Sequence, residues 1–262
     1  MAEASGLKVD RFRLSGNSLI DQEPILTTNP LLSNKWHFGG RMVFSDSYLF
    51  VSVGDGYAHS ALSQDGSAHT GKILRINDDG SIPADNPFVG QEGVASEIWA
   101  YGIRNSQGMT IHPKTGELWI SEHGPQGGDE INIVEKGKNY GWPVISYGEE
   151  YGGGPIGKGI THHADMEQPI YYYTPSIAPS GIEFYTGDKF PAWSNSVFVG
   201  ALALTHINRL VLDGDRVLHE ERLLDDKNWR IRFVKFSPDG FMYFGADDGR
   251  IRRLVLAPKR ED

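Results

Sequence analysis

Short runs of alternating apolar and polar residues, divided by turns, cover almost the whole chain. Four segments share one pattern: an alternating strand, a turn rich in Pro, Gly or Asp, and a second strand rich in aromatic residues. These segments are residues 41–53, 108–121, 181–200 and 233–245. Because the side chains of a β-strand point alternately to its two faces, such alternation indicates half-buried strands. We therefore predict four β-hairpins at these positions.

Further strands are predicted around these hairpins, at residues 7–14, 71–76, 131–134, 170–173, 207–212 and 250–256. No stretch shows the convincing 3.6-residue periodicity of an amphipathic helix. Hairpin after hairpin is typical of a β-propeller built from four-stranded blades. A β-sandwich is the competing all-β fold, but the internal repeat and the long insertions between its copies favour the propeller.

The composition narrows the possible functions. Abundant Gly (32 residues) and Pro (14 residues) supply many turns, which agrees with an all-β fold. A formal net charge of −9 without a basic block argues against a nucleic-acid partner. No run approaches the ~18 apolar residues of a membrane span, and the first residues show no apolar segment of a signal peptide. The absence of cysteine excludes disulfides, thiolate catalysis and cysteine-bound zinc.

Polar residues gather at predicted strand ends between residues 97 and 143. The clusters are Arg104-Asn105, the segment 122–125 (Glu-His-Gly-Pro) and Asp129-Glu130. Strand ends are common places for functional side chains. A Gly-rich loop that turns carbonyl and carboxylate oxygens together offers the ligands that Ca²⁺ prefers. The alternative is that the Asp-Glu pair lies in an ordinary solvated turn.

His37 is a candidate general base, because histidine accepts protons near neutral pH. It lies in the sequence Trp-His-Phe-Gly-Gly-Arg, after a polar loop and at the start of a predicted strand. A lone histidine is more often structural or exposed, so the residue type alone leaves this role open.

Three arginines are candidates for anion binding. Arg230 and Arg232 stand two apart in a predicted strand, which places both guanidinium groups on one face. A ligand with several carboxylates would offset their repulsion, and the alternative is a solvated edge strand. Arg104 suits bidentate carboxylate recognition, but it could equally pair with Glu97 or Asp129.

Three motifs carry a family resemblance: G-I-R-N-x-Q-G, E-H-G-P-x-G-G-D-E-I-N and K-G-x-N-Y-G-W-P. Together they resemble the soluble quinoprotein sugar dehydrogenases, the glucose/sorbosone dehydrogenase family, and most closely its aldose sugar dehydrogenase branch. The resemblance implies a six-bladed β-propeller and covers residues 1–262 as a single domain. It also implies that roughly the first two blades are missing, which leaves about four to five.

The resemblance further implies a chemistry and a location. Family members oxidise an aldose at the anomeric carbon to a lactone with pyrroloquinoline quinone (PQQ) and Ca²⁺, and the electron acceptor stays open. A periplasmic or secreted location is implied as well. By position, His37 matches the general base of the family.

The cofactor and metal residues implied by the resemblance follow from the same motifs. The backbone carbonyls of Gly124 and Pro125 are expected to hold a Ca²⁺ beside PQQ. Glu130 and the backbone oxygen of Tyr140 are expected to hold a second, structural Ca²⁺. Ala203 stands where the glucose-specific branch has a lysine that reaches PQQ. The expected PQQ contacts are Arg104, Asn105, Tyr151, Ala201, Leu202, Ala203, Arg230, Ile231 and Arg232.

Two other functions are compatible with the sequence. A non-catalytic or truncated propeller would keep the architecture as a binding module. A calcium-dependent propeller lactonase would use carboxylates around a central metal and no quinone.

Overall fold

The structure is a computed structural model that describes residues 4–33 and 35–257. This part of the chain consists of seventeen β-strands and three short 3₁₀ helices, and it contains no α-helix. Five separate sheets form from these strands. The all-β prediction is therefore confirmed, and five sheets agree with the expected four to five blades.

The chain divides into two compact units. The first unit comprises Met1–Ser106 and Val134–Gln168, and the second comprises Gln107–Ile133 and Pro169–Asp262. That the whole chain forms one propeller domain stays a prediction. Among the described residues, no helix has the length and apolar character needed to cross a membrane.

The first unit contains a two-stranded and a four-stranded sheet. One of its buried strands is β4, whose sequence Tyr-Leu-Phe-Val-Ser-Val is nearly continuous in apolar residues, as expected for a strand covered on both faces. The core packs Leu49, Val51, Leu74 and Ile76 together. The sheets are β1 (Lys8–Ser15) with β2 (Ser18–Thr27), and β3 (Gly39–Ser45), β4 (Tyr48–Val53), β5 (Lys72–Asn77) and β6 (Ile98–Tyr101) in that order.

A buried lysine fixes the loop between β4 and β5, which contains the 3₁₀ helix Ser60–Gln64. Lys72 is fully buried, and its Nζ donates to the carbonyl oxygens of Leu62, Ser63 and Thr70 at 2.8, 3.0 and 2.8 Å. Burial lowers the pKa of Lys72 to about 7. An ammonium group thus stands among carbonyl oxygens much as a bound metal cation would.

The second unit contains two four-stranded sheets and one three-stranded sheet. Its core packs Trp119, Phe184 and Val199 in one cluster and Phe198 and Ile231 in another. The 3₁₀ helices are Pro191–Trp193 and Asp225–Lys227. The strands, in sheet order, are β7 (Ser106–Ile111), β8 (Leu118–Glu122), β9 (Asp129–Val134) and β10 (Tyr171–Tyr173); β11 (Pro179–Phe184), β12 (Ser196–Ala201), β13 (Ile207–Asp213) and β14 (Arg216–Leu223); and β15 (Ile231–Phe236), β16 (Met242–Ala246) and β17 (Ile251–Arg253).

All four hairpins predicted from the sequence are confirmed. They correspond to the neighbouring strand pairs β3–β4, β7–β8, β11–β12 and β15–β16. The predictions succeed because the period-two alternation and the turn residues are both local properties of the sequence.

Candidate active site

His37 lies two residues before the start of β3 in the first unit, in a backbone conformation that non-glycine residues seldom adopt. Its φ is +56°, and its side chain is 14% exposed. Gly54 approaches closely: a Cβ atom at this position would lie 2.0 Å from the carbonyl oxygen of His37. Only glycine fits there, and the strained backbone of His37 is held by its surroundings.

Asp55 pairs with His37, and sequence reasoning missed it. The Nδ1 of His37 lies 2.7 Å from Oδ1 of Asp55, which is 1% exposed. The same oxygen accepts the backbone N–H of Tyr57 at 2.9 Å, and the other carboxylate oxygen accepts Nε1–H of Trp142 at 2.9 Å. A carboxylate is an acceptor only, so the Nδ1 of His37 carries the proton and Nε2 is the nitrogen left to act as a base.

Arg104 and Asn105 lie directly before β7 and contact the surroundings of His37. The backbone N–H of Asp55 donates to the carbonyl of Arg104 at 2.7 Å, and the backbone N–H of Gly39 donates to Oδ1 of Asn105 at 3.2 Å. The buried guanidinium of Arg104 lies 5.1 Å from the ring centre of Trp142. The first unit therefore brings the predicted base and two predicted cofactor contacts into one hydrogen-bonded cluster.

The two predicted tyrosines of this unit differ in environment. Tyr140 is buried, and its hydroxyl accepts the backbone N–H of Glu135 at 2.8 Å. Burial raises the pKa of the Tyr140 hydroxyl well above its usual range. Tyr151 is 60% exposed and lies in a turn. Glu97, considered above as a partner of Arg104, lies 3.6 Å from His69.

In the second unit, the loop before β9 folds tightly on itself. A Cβ atom on Gly124 would lie 2.4 and 2.3 Å from the carbonyl oxygens of Gly127 and Gly128, so only glycine fits here. Asp129 is 1% exposed and accepts the backbone N–H groups of Gly124 and Ala178, both at 2.8 Å. The carboxylate of Asp129 thereby fixes the start of the loop.

The acidic pair at the start of β9, Asp129 and Glu130, has unusual pKa values. Burial raises the pKa of Asp129, although four hydrogen bonds, one from Ser176 at 2.5 Å, act in the opposite direction. Burial and the neighbouring Asp129 carboxylate raise the pKa of Glu130 to about 7. A bound cation would stabilise the charged form of both groups, and carboxylate oxygens are ligands that suit a hard cation such as Ca²⁺. Among the described residues, no three His, Asp or Glu side chains gather into a metal site, and the predicted ligand sets draw on main-chain oxygens.

Arg230 and Arg232 share a partner that sequence reasoning missed. Nε of Arg230 donates to Asp247 at 2.8 Å, and Arg232 binds the same carboxylate through Nε and, at 3.1 Å, through a terminal nitrogen. The guanidinium groups of Arg232 and Arg230 hold the pKa of Asp247 below its usual range. Both arginine side chains remain about half-exposed. Two cations on one anion leave a surplus positive charge, which fits a ligand that carries carboxylates.

The predicted segment 201–203 reaches the same arginine cluster through its backbone. The guanidinium of Arg230 donates to the carbonyl of Leu202 at 2.9 Å. Ala201 and Leu202 are buried, and Ala203 is exposed. The side chain of Ile231 is fully buried in the core, so only its backbone is available to a ligand.

Comparison with known proteins identifies the family. The sequence profile described as Glucose / Sorbosone dehydrogenase matches residues 1–253. The chain belongs to this family. It is 42% identical over 260 residues to the aldose sugar dehydrogenase YliI of Escherichia coli. The alignment covers 97% of this chain and 70% of that protein.

Two solved structures extend the comparison. A crystal structure of glucose dehydrogenase superposes with a TM-score of 0.93 and 42% identity, covering 97% of this chain and 75% of the other. The PQQ-bound aldose sugar dehydrogenase of Streptomyces coelicolor has a TM-score of 0.73 and 27% identity, covering 95% and 71%. These likenesses confirm the all-β, propeller-type fold class. The chain spans about three quarters or less of the length of each of these proteins.

Proposed function

We propose that this chain is a PQQ- and Ca²⁺-dependent aldose dehydrogenase, or a shortened member of that class, that oxidises the anomeric carbon of an aldose to a lactone. The observation that carries the proposal is the pairing of His37 with buried Asp55. The family assignment and the PQQ-bound relative support the choice of cofactor. A periplasmic or secreted location is part of the proposal.

In this mechanism, His37 acts as the general base. Its Nε2 takes the proton of the anomeric hydroxyl as hydride leaves the anomeric carbon. Asp55 stabilises the imidazolium that results. Because Asp55 holds Nδ1 at 2.7 Å, the imidazole has one orientation and one tautomer. When bound, the quinone supplies the two-electron acceptor for the hydride, and Ca²⁺ supplies Lewis-acid polarisation of its reactive carbonyl.

The other residues bind and orient. Arg104 with Asn105, and Arg230 with Arg232, would pair with the carboxylates of PQQ, and the backbone of 201–203 and the aromatic ring of Tyr151 would complete its surroundings. Carbonyl oxygens of Gly124 and Pro125 would hold the catalytic Ca²⁺. Glu130 and the backbone oxygen of Tyr140 would hold the second.

Reconstitution tests the proposal directly. The purified chain is incubated with PQQ and Ca²⁺, and reduction of an artificial electron-accepting dye is followed with a panel of aldoses. Aldose-dependent dye reduction that requires both additions is the expected result. Quinone binding without turnover would instead indicate a binding module, and lactone hydrolysis without quinone would indicate a calcium-dependent lactonase.

A further inference from the structure

Trp142 contacts two parts of the candidate site with different parts of one side chain. The Nε1–H at the edge of its indole donates to Oδ2 of Asp55 at 2.9 Å. The face of the same ring lies 5.1 Å from the guanidinium carbon of Arg104, within the range of a cation–π contact. Trp142 is 8% exposed and Arg104 is 4% exposed, so water competes little with either contact.

The backbone of Trp142 is fixed on both sides. Its N–H donates to the carbonyl of Gly102 at 2.9 Å, and its carbonyl accepts Nε2–H of Gln64 at 2.8 Å. The side-chain amide of Gln64 also exchanges two hydrogen bonds with the amide of Asn139, at 3.0 and 2.9 Å. A residue held at N–H, carbonyl, ring edge and ring face has little freedom to move.

We propose that Trp142 is a positioning residue that holds the His37–Asp55 pair through its indole N–H and Arg104 through its ring face. This inference rests on the proposed function, because it assigns the base to one contact and a quinone anchor to the other. The two contacts can be tested without that function, because each belongs to a different part of the ring. One substitution can therefore remove the first contact and keep the second.

Trp142→Phe removes the N–H donor and keeps an aromatic face, whereas Trp142→Leu removes both. We expect Trp142→Phe to lower kcat roughly tenfold, because Asp55 loses one of its donors, and to change quinone affinity less than about twofold. Trp142→Leu should show a similar fall in kcat and in addition bind quinone roughly three- to tenfold more weakly. Quinone binding is measured by absorbance titration of the apo-protein, without turnover.

Trp99 provides a matched control in the same unit. Its ring also lies beside an arginine, with the guanidinium carbon of Arg75 at 4.7 Å, but its Nε1 has no hydrogen-bond partner among the described residues. Trp99→Phe therefore replaces the indole with a smaller aromatic ring and removes no hydrogen bond. It should leave both kcat and quinone affinity unchanged.

A spectroscopic test reports on the geometry without quinone. In apo-protein labelled with ¹⁵N-histidine, the His37 imidazole signals are assigned by their loss in His37→Gln. Trp142→Phe and Trp142→Leu should shift these signals, and Trp99→Phe should not. If the unsubstituted protein binds no quinone, the proposed function fails. The histidine signals still test whether the contact between Trp142 and Asp55 positions His37.

Two results would overturn the inference. The first is that Trp142→Phe keeps the His37 signals and the kcat of the unsubstituted chain. The second is that Trp142→Phe loses as much quinone affinity as Trp142→Leu. Should both Trp142 variants fail to fold, Gln64→Leu replaces them, since it frees the carbonyl of Trp142 and keeps the indole. Unchanged His37 signals in Gln64→Leu would then contradict the proposal.

Discussion

The charged clusters of the two units differ in how completely the chain itself compensates them. In the first unit, two buried charged groups are satisfied by the chain itself: Asp55 accepts from His37, Tyr57 and Trp142, and Lys72 donates to three carbonyls. In the second unit, Arg230 and Arg232 share a single carboxylate. The acidic pair Asp129 and Glu130 has raised pKa values.

This difference separates two tasks of a cofactor enzyme. Groups that move a proton must be oriented before the substrate arrives, which favours a self-contained cluster. Groups that hold an ionic ligand need charge that the protein leaves uncompensated. The His37–Asp55 pair of the first unit is a cluster of the first kind, and the Arg230–Arg232 pair of the second unit is a cluster of the second kind.

The largest expected effect is on turnover in the first unit. His37→Ala should lower kcat by ~10²–10⁴-fold, because it removes the general base. Quinone affinity should change much less, since the imidazole moves a proton only in the transition state. His163→Ala is the control, because His163 also lies near a carboxylate, Asp165 at 3.9 Å, but on the surface. A His37→Ala enzyme with normal turnover would end the general-base assignment.

The second effect is on ligand binding in the second unit. Arg232→Ala should weaken quinone binding roughly tenfold, as expected for a charge-assisted hydrogen bond at a half-exposed position. Turnover should partly recover at saturating quinone, which is the reverse of the His37→Ala result. Arg253→Ala removes an equally exposed arginine near Asp239 and serves as the control. Equal losses in the two arginine variants would indicate a nonspecific charge effect.

The third effect concerns calcium and the acidic loop. Ca²⁺ at about a hundred times its Kd should stabilise the folded chain by about 2.7 kcal/mol and raise Tm by several degrees, because it binds only the folded state. Glu130→Ala should abolish most of that increment, and Glu117→Ala, at an exposed position of the same unit, should keep it. Melting curves with Ca²⁺ and with chelator measure both. Identical curves for the unsubstituted protein would remove the metal proposal.

Whether the sequence predicts a feature of this structure depends on how far apart along the chain the interacting residues lie. Hairpins and strand-end residues were predictable, because alternation and turn chemistry are local. The location of Arg104 and Asn105 before a strand followed from the same reading. The motifs also indicated which polar residues deserve a functional interpretation.

The partners of those residues were not predictable. Asp55 stands 18 positions from His37, and Trp142 stands 87 positions from Asp55. Asp247 follows Arg232 by 15 positions, across a strand and a turn. Only the pairing of strands brings such residues together, and one sequence carries no signal for that pairing beyond the family motifs. The repulsion between Arg230 and Arg232 predicted a ligand with several carboxylates, and that ligand stays a prediction; Asp247, which pairs with both arginines, was not predicted.

The last expected effect isolates the internal cation of the first unit. Between pH 7 and about 10.4, the unfolded chain keeps the proton of Lys72 and the native chain releases it, because the folded pKa is lowered to about 7. The unfolded state then binds more protons, so Lys72 adds stability as pH rises, by at most about 1.4 kcal/mol per pH unit. Urea unfolding of the unsubstituted protein and of Lys72→Met should therefore diverge in favour of lysine from pH 7 to 9, equally with and without Ca²⁺. Lys138→Met, which removes an exposed partner of Glu167, should show no such divergence. A constant difference in stability between the unsubstituted protein and Lys72→Met would mean that the ammonium stays charged throughout. A difference that depends on Ca²⁺ would mean that Lys72 responds to the metal.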